Sequence, residues 1–189
     1  MTNMSKPSDY KYDEQRSHQT PAWMIHAALK QKFGENYRFY ELVYDREQQR
    51  AGVDMIAHLA NGTQIRVELK SLRRDPVAKN GCDLLPLETF SHVENQVPGF
   101  LLQGHKTSQY VLWIFRDTGR TVMLPFRSLA AAFRRNFREW KATFGTREQE
   151  TRGYYETYHS ECTWVPLILI ERAMAHYLRH RYGYIGKRA

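Results

Sequence analysis

The chain of 189 residues carries 28 Lys+Arg against 20 Asp+Glu, a formal net charge of +8, with 42% hydrophobic and 25% charged residues. That is the makeup of a soluble globular protein with its own core, and no apolar run approaches the ~20 residues of a membrane-spanning helix. The polar first 19 residues offer no signal region, and Cys82 and Cys162 lack metal-ligand spacing, so a cytoplasmic protein with reduced thiols is expected.

Residues 1–19 read as a flexible segment before a single domain over 20–189. Thr20-Pro21 opens a helix, with Thr20 as N-cap and Pro21 at the first helical position. Trp23, Ala27, Ala28, Leu29 and Phe33 recur at helical spacing, and Gly34 stops the run. The period then falls to two, giving strands over 37–44, 53–59 and 63–71. A polar stretch (73–81) precedes a short strand at 84–90 and a helical turn at 98–104. Residues 110–116 are continuously apolar, as in a buried strand. Asp117-Thr118-Gly119 turns the chain into a strand at 121–126, followed by an amphipathic helix at 127–144. Residues 154–165 read as extended and 167–182 as helical. The order implies an α/β (α+β) fold: a central mixed β-sheet flanked by helices, with a core at 20–126 and a C-terminal extension at 127–189 that adds a strand and helices.

The hairpin between the second and third strands is the most informative segment. Ile65, Val67 and Leu69 alternate with Arg66, Glu68 and Lys70, so Glu68 and Lys70 share one face. A two-residue Asn61-Gly62 loop would pair Asp54 with Leu69 and set Glu68 on the opposite face. A three-residue Ala60-Asn61-Gly62 loop pairs Leu59 with Thr63 and sets Asp54 opposite Glu68. The second register aligns the aliphatics of both strands and places Gly62 where a left-handed residue is needed. Two facing carboxylates repel unless a positive charge joins them. Lys70 is one such charge. A Mg²⁺ ion is another, held by Asp54, Glu68 and the backbone carbonyl of Leu69; it would acidify a bound water while Lys70 orients the nucleophile or stabilises the transition state. A bare Glu-x-Lys is otherwise an ordinary solvated strand face, and the surrounding Gly-Val-Asp and Val-Glu-Leu-Lys-Ser make the pattern specific.

With Asp54 in Gly-Val-Asp-Met and Glu68-Leu69-Lys70 after a helix and a strand in that order, residues 20–126 resemble the PD-(D/E)XK nuclease superfamily, the restriction-endonuclease-like fold. The resemblance implies catalytic roles for Asp54, Glu68 and Lys70, with Asp54 and Glu68 as ligands to Mg²⁺ or Mn²⁺, and hydrolysis of DNA phosphodiesters. Family members often add an acid in the first helix, which residues 22–33 lack, and a polar residue on the helix after the lysine. Glu41 (or Glu35) could supply the acid, and Gln96, Gln103 or Gln109 the polar group. Glu88 is a further candidate ligand, although strand carboxylates are mostly exposed.

Residues 1–100 balance 13 basic against 13 acidic side chains, and the remainder carries 15 against 7. Within this basic half, Arg127, Arg134, Arg135, Arg138 and Lys141 could grip phosphates or simply solvate a helix face. A nucleic acid, DNA foremost, is thus the expected partner, with no membrane and with a homodimer left open. The alternative is a catalytically inactive nucleic-acid- or partner-binding module on the same fold.

Overall fold

The computed structural model describes residues 20–152 and 157–182. Its centre is a five-stranded mixed sheet in the order β1-β2-β3-β6-β7, built from Tyr37–Leu42 (β1), Met55–Leu59 (β2), Gln64–Leu72 (β3), Tyr110–Phe115 (β6) and Thr121–Pro125 (β7). A second sheet, ordered β5-β4-β9-β8, joins Val97–Pro98 (β5), Leu84–His92 (β4), Thr157–Pro166 (β9) and Arg147–Arg152 (β8). Among the described residues, five α-helices complete this α+β fold: Ala22–Phe33 (α1), the short Arg46–Arg50 (α2) and Pro76–Asn80 (α3), Phe126–Phe144 (α4) and Leu167–Tyr182 (α5). None of them is long and apolar enough to cross a membrane.

Alternation in the sequence decides which face of the central sheet each helix covers. Met24, Ile25, Ala28 and Leu29 of α1 pack on Met55, Ala57, Ile65, Val67 and Leu69. On the neighbouring β6, Leu112 and Ile114 join that core, while Val111, Trp113 and Phe115 enter a second one. A strand buried on both faces must be apolar throughout, as β6 is. The second core gathers Leu85 and Leu87 of β4, Val165 of β9, Leu129 and Phe133 of α4, and Ile170 of α5. The basic C-terminal segment therefore shares its core with β4 and β6.

The β2–β3 register is the three-residue one. Met55 pairs with Val67, Ala57 with Ile65 and His58 with Gln64, the Leu59 N–H reaches the Thr63 carbonyl at 2.9 Å, and Gly62 has φ of +81°. β3 pairs with β6 in parallel, Glu68 beside Val111 and Lys70 beside Trp113. Glu68 and Lys70 consequently lie on the face opposite α1, at the border of the second core.

Several local expectations are corrected. Pro21, not Thr20, occupies the N-cap of α1, and the Thr20 hydroxyl instead donates to Ser71 Oγ at 2.6 Å, tying the helix entry to β3. Residues 98–104 form no helix: Pro98 ends β5 and the chain turns back with the Leu102 N–H on the Gly99 carbonyl. Gly99 sits so close to Glu88 that an added Cβ would fall 1.9 Å from its carbonyl oxygen. The polar strand β8 was not foreseen, because an edge strand rich in charge lacks apolar alternation. Helices α2 and α3 are single turns whose caps, Asp45 and Asp75, accept from Gln48 N–H and Val77 N–H. Of the extended stretch expected at 154–165, residues 154–156 lie outside the described residues, as does the expected flexible segment at 1–19.

Candidate active site

The site begins where β2 starts. Asp54 stands one residue before the strand, and its N–H bonds the Val67 carbonyl at 3.0 Å, on the residue that its neighbour Met55 faces. The ladder thus stops one pair short of setting Asp54 squarely against Glu68. In place of a backbone carbonyl, Asp54 Oδ2 accepts the Leu69 N–H at 2.7 Å. This bond turns the carboxylate toward β3 between Glu68 and Lys70, which is a correction of detail to the expected pair. The Asp54 carbonyl in turn accepts from Val43 N–H at 2.9 Å, fixing the residue from β1 as well.

Glu68 is buried, and its Oε1 lies 2.7 Å from Lys70 Nζ. The Lys70 ammonium also stands 4.4 Å from the centroid of the Phe100 ring, which closes one side. Burial pulls against the charged lysine, but Glu68, Glu88 and Asp54 together overcome it and hold Lys70 well above the ordinary lysine range. It is therefore a fixed cation.

Glu88 belongs to the second sheet and still reaches this centre. Its Oε2 accepts the Phe100 N–H at 3.1 Å. Burial pushes its carboxyl up, opposed first by Lys70 and then by the Phe100 bond, and raised further by Glu68. Its partner across the β4–β9 ladder is Cys162, whose thiol burial pushes up to about 12. Glu88 is thus not the surface carboxylate that strand statistics favour.

Three further residues border the centre. Gly52 has φ of +78°, and a Cβ there would lie 2.7 Å from Glu68 Oε2, 2.9 Å from Lys106 Cδ and 3.4 Å from Ser108 Oγ. The glycine is required twice, by its backbone and by the closeness of these groups. Lys106 donates to the Arg50 carbonyl at 2.9 Å, and burial holds its pKa below the usual lysine value, with Glu68 opposing. Ser108 is buried, and its Oγ lacks a hydrogen-bond partner among the described residues. Gly52 sits in the Gly-Val-Asp motif and was open to reading. Lys106 and Ser108 occupy the loop between β5 and β6, which the Thr107 N–H on the Ala51 carbonyl and the Gln109 N–H on the Arg66 carbonyl hold to segments more than 40 residues earlier.

The remaining candidates stand apart. Glu41 is exposed on β1 and lies 3.3 Å from His58 Nε2. Gln96 is at a turn between β4 and β5 with φ of +52°, not on a helix after Lys70. Gln103 Nε2 bonds the Pro98 carbonyl, and Gln109 Oε1 accepts from Arg66 N–H. On α4, Arg134 donates to the Leu101 and Gln103 carbonyls and Lys141 pairs with Glu161 at 2.8 Å, so both brace the fold. Arg127, Arg135 and Arg138 are exposed.

Among the described residues, no three His, Cys, Asp or Glu side chains stand close enough together to form a ready metal-binding group. The donor chemistry still suits a hard cation. Mg²⁺ commonly uses one or two carboxylates plus substrate oxygens and waters rather than an all-protein cage. Asp54 and Glu68 supply the carboxylates, and the missing side chain of Gly52 lets Glu68 Oε2 and the Ser108 hydroxyl pack close against its backbone. Comparison of the chain with family models, with curated proteins and with solved structures finds no match in any of the three.

Proposed function

We infer that the protein is a divalent-metal-dependent nuclease of the PD-(D/E)XK type, hydrolysing phosphodiester bonds, with DNA as the first substrate to test. The observation that carries this reading is the convergence of Asp54, Glu68 and Glu88 on Lys70 and Lys106. Fully ionised, that set has one negative charge in excess. An acid-rich, partly desolvated centre built without an evident folding need is the kind of feature that functional sites share.

Asp54 and Glu68, with the Leu69 carbonyl, would hold Mg²⁺ or Mn²⁺, which when bound supplies an acidified water and neutralises phosphate charge. The protein's own part is positional. The Asp54–Leu69 bond fixes one carboxylate, and the Glu68–Lys70 pair fixes the ammonium as a hydrogen-bond donor. From there Lys70 can donate to a phosphoryl oxygen whose charge grows in the transition state. Phe100 excludes water from one side of that ammonium, which strengthens its electrostatic effect. Glu88, anchored by the Phe100 N–H, sets the field at Lys70 from the opposite wall.

Circular and linear DNA and RNA, incubated with and without Mn²⁺, test the reading. Cleavage that needs the ion and is lost in Lys70→Ala supports it, and cleavage that persists in excess EDTA overturns it. The lack of a ready three-ligand group favours a second reading, an inactive module that binds nucleic acid or a partner protein. Calorimetry showing tight DNA binding but no uptake of Mn²⁺ would select that reading. A cytoplasmic setting fits the free thiols of Cys82 and Cys162, and sedimentation would show whether the protein forms a homodimer.

A further inference from the structure

Beyond the carboxyl ends of the parallel strands β3 and β6 lies a recess of about 700 Å³ lined by Arg73, Arg74, Arg116 and Asp117. Its size is that of small-ligand sites, roughly 300–1,000 Å³, but those are mostly apolar, and this one is lined by guanidinium groups. Arg73 and Arg74 are exposed and have no ion-pair partner among the described residues. The single acid, Asp117, is already engaged: both its carboxylate oxygens accept the Asp75 N–H, at 3.0 and 3.1 Å. Nearby Arg120, by contrast, is spent on Asp75 and Asp83. The recess thus keeps a surplus of about two positive charges at the end of the strands, the edge where ligands collect in parallel arrangements.

Solvent screens the mutual repulsion of the exposed Arg73 and Arg74, and an anion lying between them would be attracted by both. The Arg116 N–H bonds the Leu72 carbonyl at 2.9 Å, so the ends of β3 and β6 are pinned side by side and the recess is a fixed one. Arg73 and Arg74 follow Lys70 by three and four residues, no more than ~11 and ~14 Å along the chain. One DNA strand carries a charge every ~3.4 Å of axis, so these arginines come within about four nucleotides of Lys70.

We propose that Arg73 and Arg74 form a subsite for a backbone phosphate of the nucleic-acid strand, up to about four nucleotides from the bond placed at Lys70. The subsite rests on the nuclease reading for its substrate but not on the site being active. α4, where sequence reasoning looked for phosphate binding, is then secondary.

The test measures binding of a fluorescent 20-nucleotide DNA oligomer, with an RNA oligomer of the same sequence alongside, in EDTA over a series of KCl concentrations. Wild type is compared with Arg73→Gln/Arg74→Gln and with Arg127→Gln/Arg135→Gln on α4. The first variant should bind about tenfold more weakly, with a slope of log K against log salt shallower by about 0.7–0.9 for each phosphate that the protein ceases to neutralise. The α4 variant should change less. Equal weakening in both variants, or unchanged affinity and slope in the first, overturns the subsite. Because EDTA suppresses metal-dependent cleavage, the outcomes separate: oligomer binding that depends on Arg73 and Arg74 without any Mn²⁺-dependent cleavage keeps the subsite and sinks the nuclease reading, and cleavage indifferent to those arginines does the reverse.

Discussion

Among the described residues, two lysine–glutamate pairs have nearly the same N–O distance, Glu68–Lys70 at 2.7 Å and Glu161–Lys141 at 2.8 Å, in different settings. Glu161 also accepts from the Thr89 hydroxyl, and burial works against its charge while Lys141 and Thr89 hold its pKa below the usual range. That cluster is closed: one acid, one lysine and the hydroxyls of Thr89 and Thr146, joining β4, β9 and the end of α4. Glu68 and Lys70 stand instead among Asp54, Glu88 and Lys106, beside the Ser108 hydroxyl, which lacks a partner among the described residues, and a glycine against which the group packs closely. The same two side chains at nearly the same separation thus brace the fold in one place and stand in a surplus of charge in the other. What distinguishes a site from a brace here is the company a pair keeps.

Breaking each pair should separate the two roles. Lys70→Ala should cut Mn²⁺-dependent cleavage at least ~100-fold with the circular dichroism of a folded chain, and should also lower Tm because buried Glu68 loses its partner. Lys141→Ala should cost about 1–2 kcal/mol of stability in urea and leave the cleavage rate near wild type. If the two variants behave alike, the contrast drawn between them fails. Gly52→Ala and Gly62→Ala sharpen the same point, since both glycines have positive φ but only Gly52 abuts the site. Gly62→Ala should cost about 1–2 kcal/mol through its backbone alone. Gly52→Ala should cost more and also impair cleavage, which urea melts and rate measurements would show.

A smaller effect concerns Glu88. Burial raises its folded-state pKa above the ordinary 4.5, so the unfolded chain gives up this proton first as pH rises. Its contribution to stability is full below about 4.5 and declines as pH climbs through the raised value. Glu88→Gln keeps an acceptor for the Phe100 N–H and should flatten that decline in a pH series of Tm values. A slope unchanged from wild type would argue that Glu88 is not desolvated. Smallest of all, Ser108→Ala removes a buried hydroxyl lacking a hydrogen-bond partner and should leave stability within about 0.5 kcal/mol of wild type. A measurable loss of Mn²⁺ affinity or cleavage in that variant would place the hydroxyl in the centre.

The sequence revealed most where neighbours in the chain are neighbours in space. One turn and one alternation pattern determine the β2–β3 register, and both are local. α5 occupies the residues its apolar spacing marks out, and β6 is the uninterrupted apolar run that burial on two faces demands. Legibility ended where distant segments meet. Nothing near Glu88 signals that it turns toward Lys70, because that depends on β4 pairing with β9 some 70 residues onward. Asp54 lies in between: its side was readable, but the Leu69 N–H that takes its carboxylate depends on the ladder ending one pair early. Lys141 looked like a phosphate-binding residue because Glu161, the group that claims it, lies 20 residues away.

The crossover from β3 to β6 carries a consequence for when the centre comes into being. These strands lie side by side, yet residues 73–109 between them travel out to build β4 and β5 of the other sheet. β4 in turn finds its long partner only in β9, Thr157–Pro166. During synthesis, a growing chain that has passed β7 already holds Asp54, Glu68 and Lys70, but the strand that anchors the opposing wall with Glu88 does not yet exist. The β2–β3 hairpin is made early, and the strand pairing that anchors Glu88 is made only once β9 has emerged.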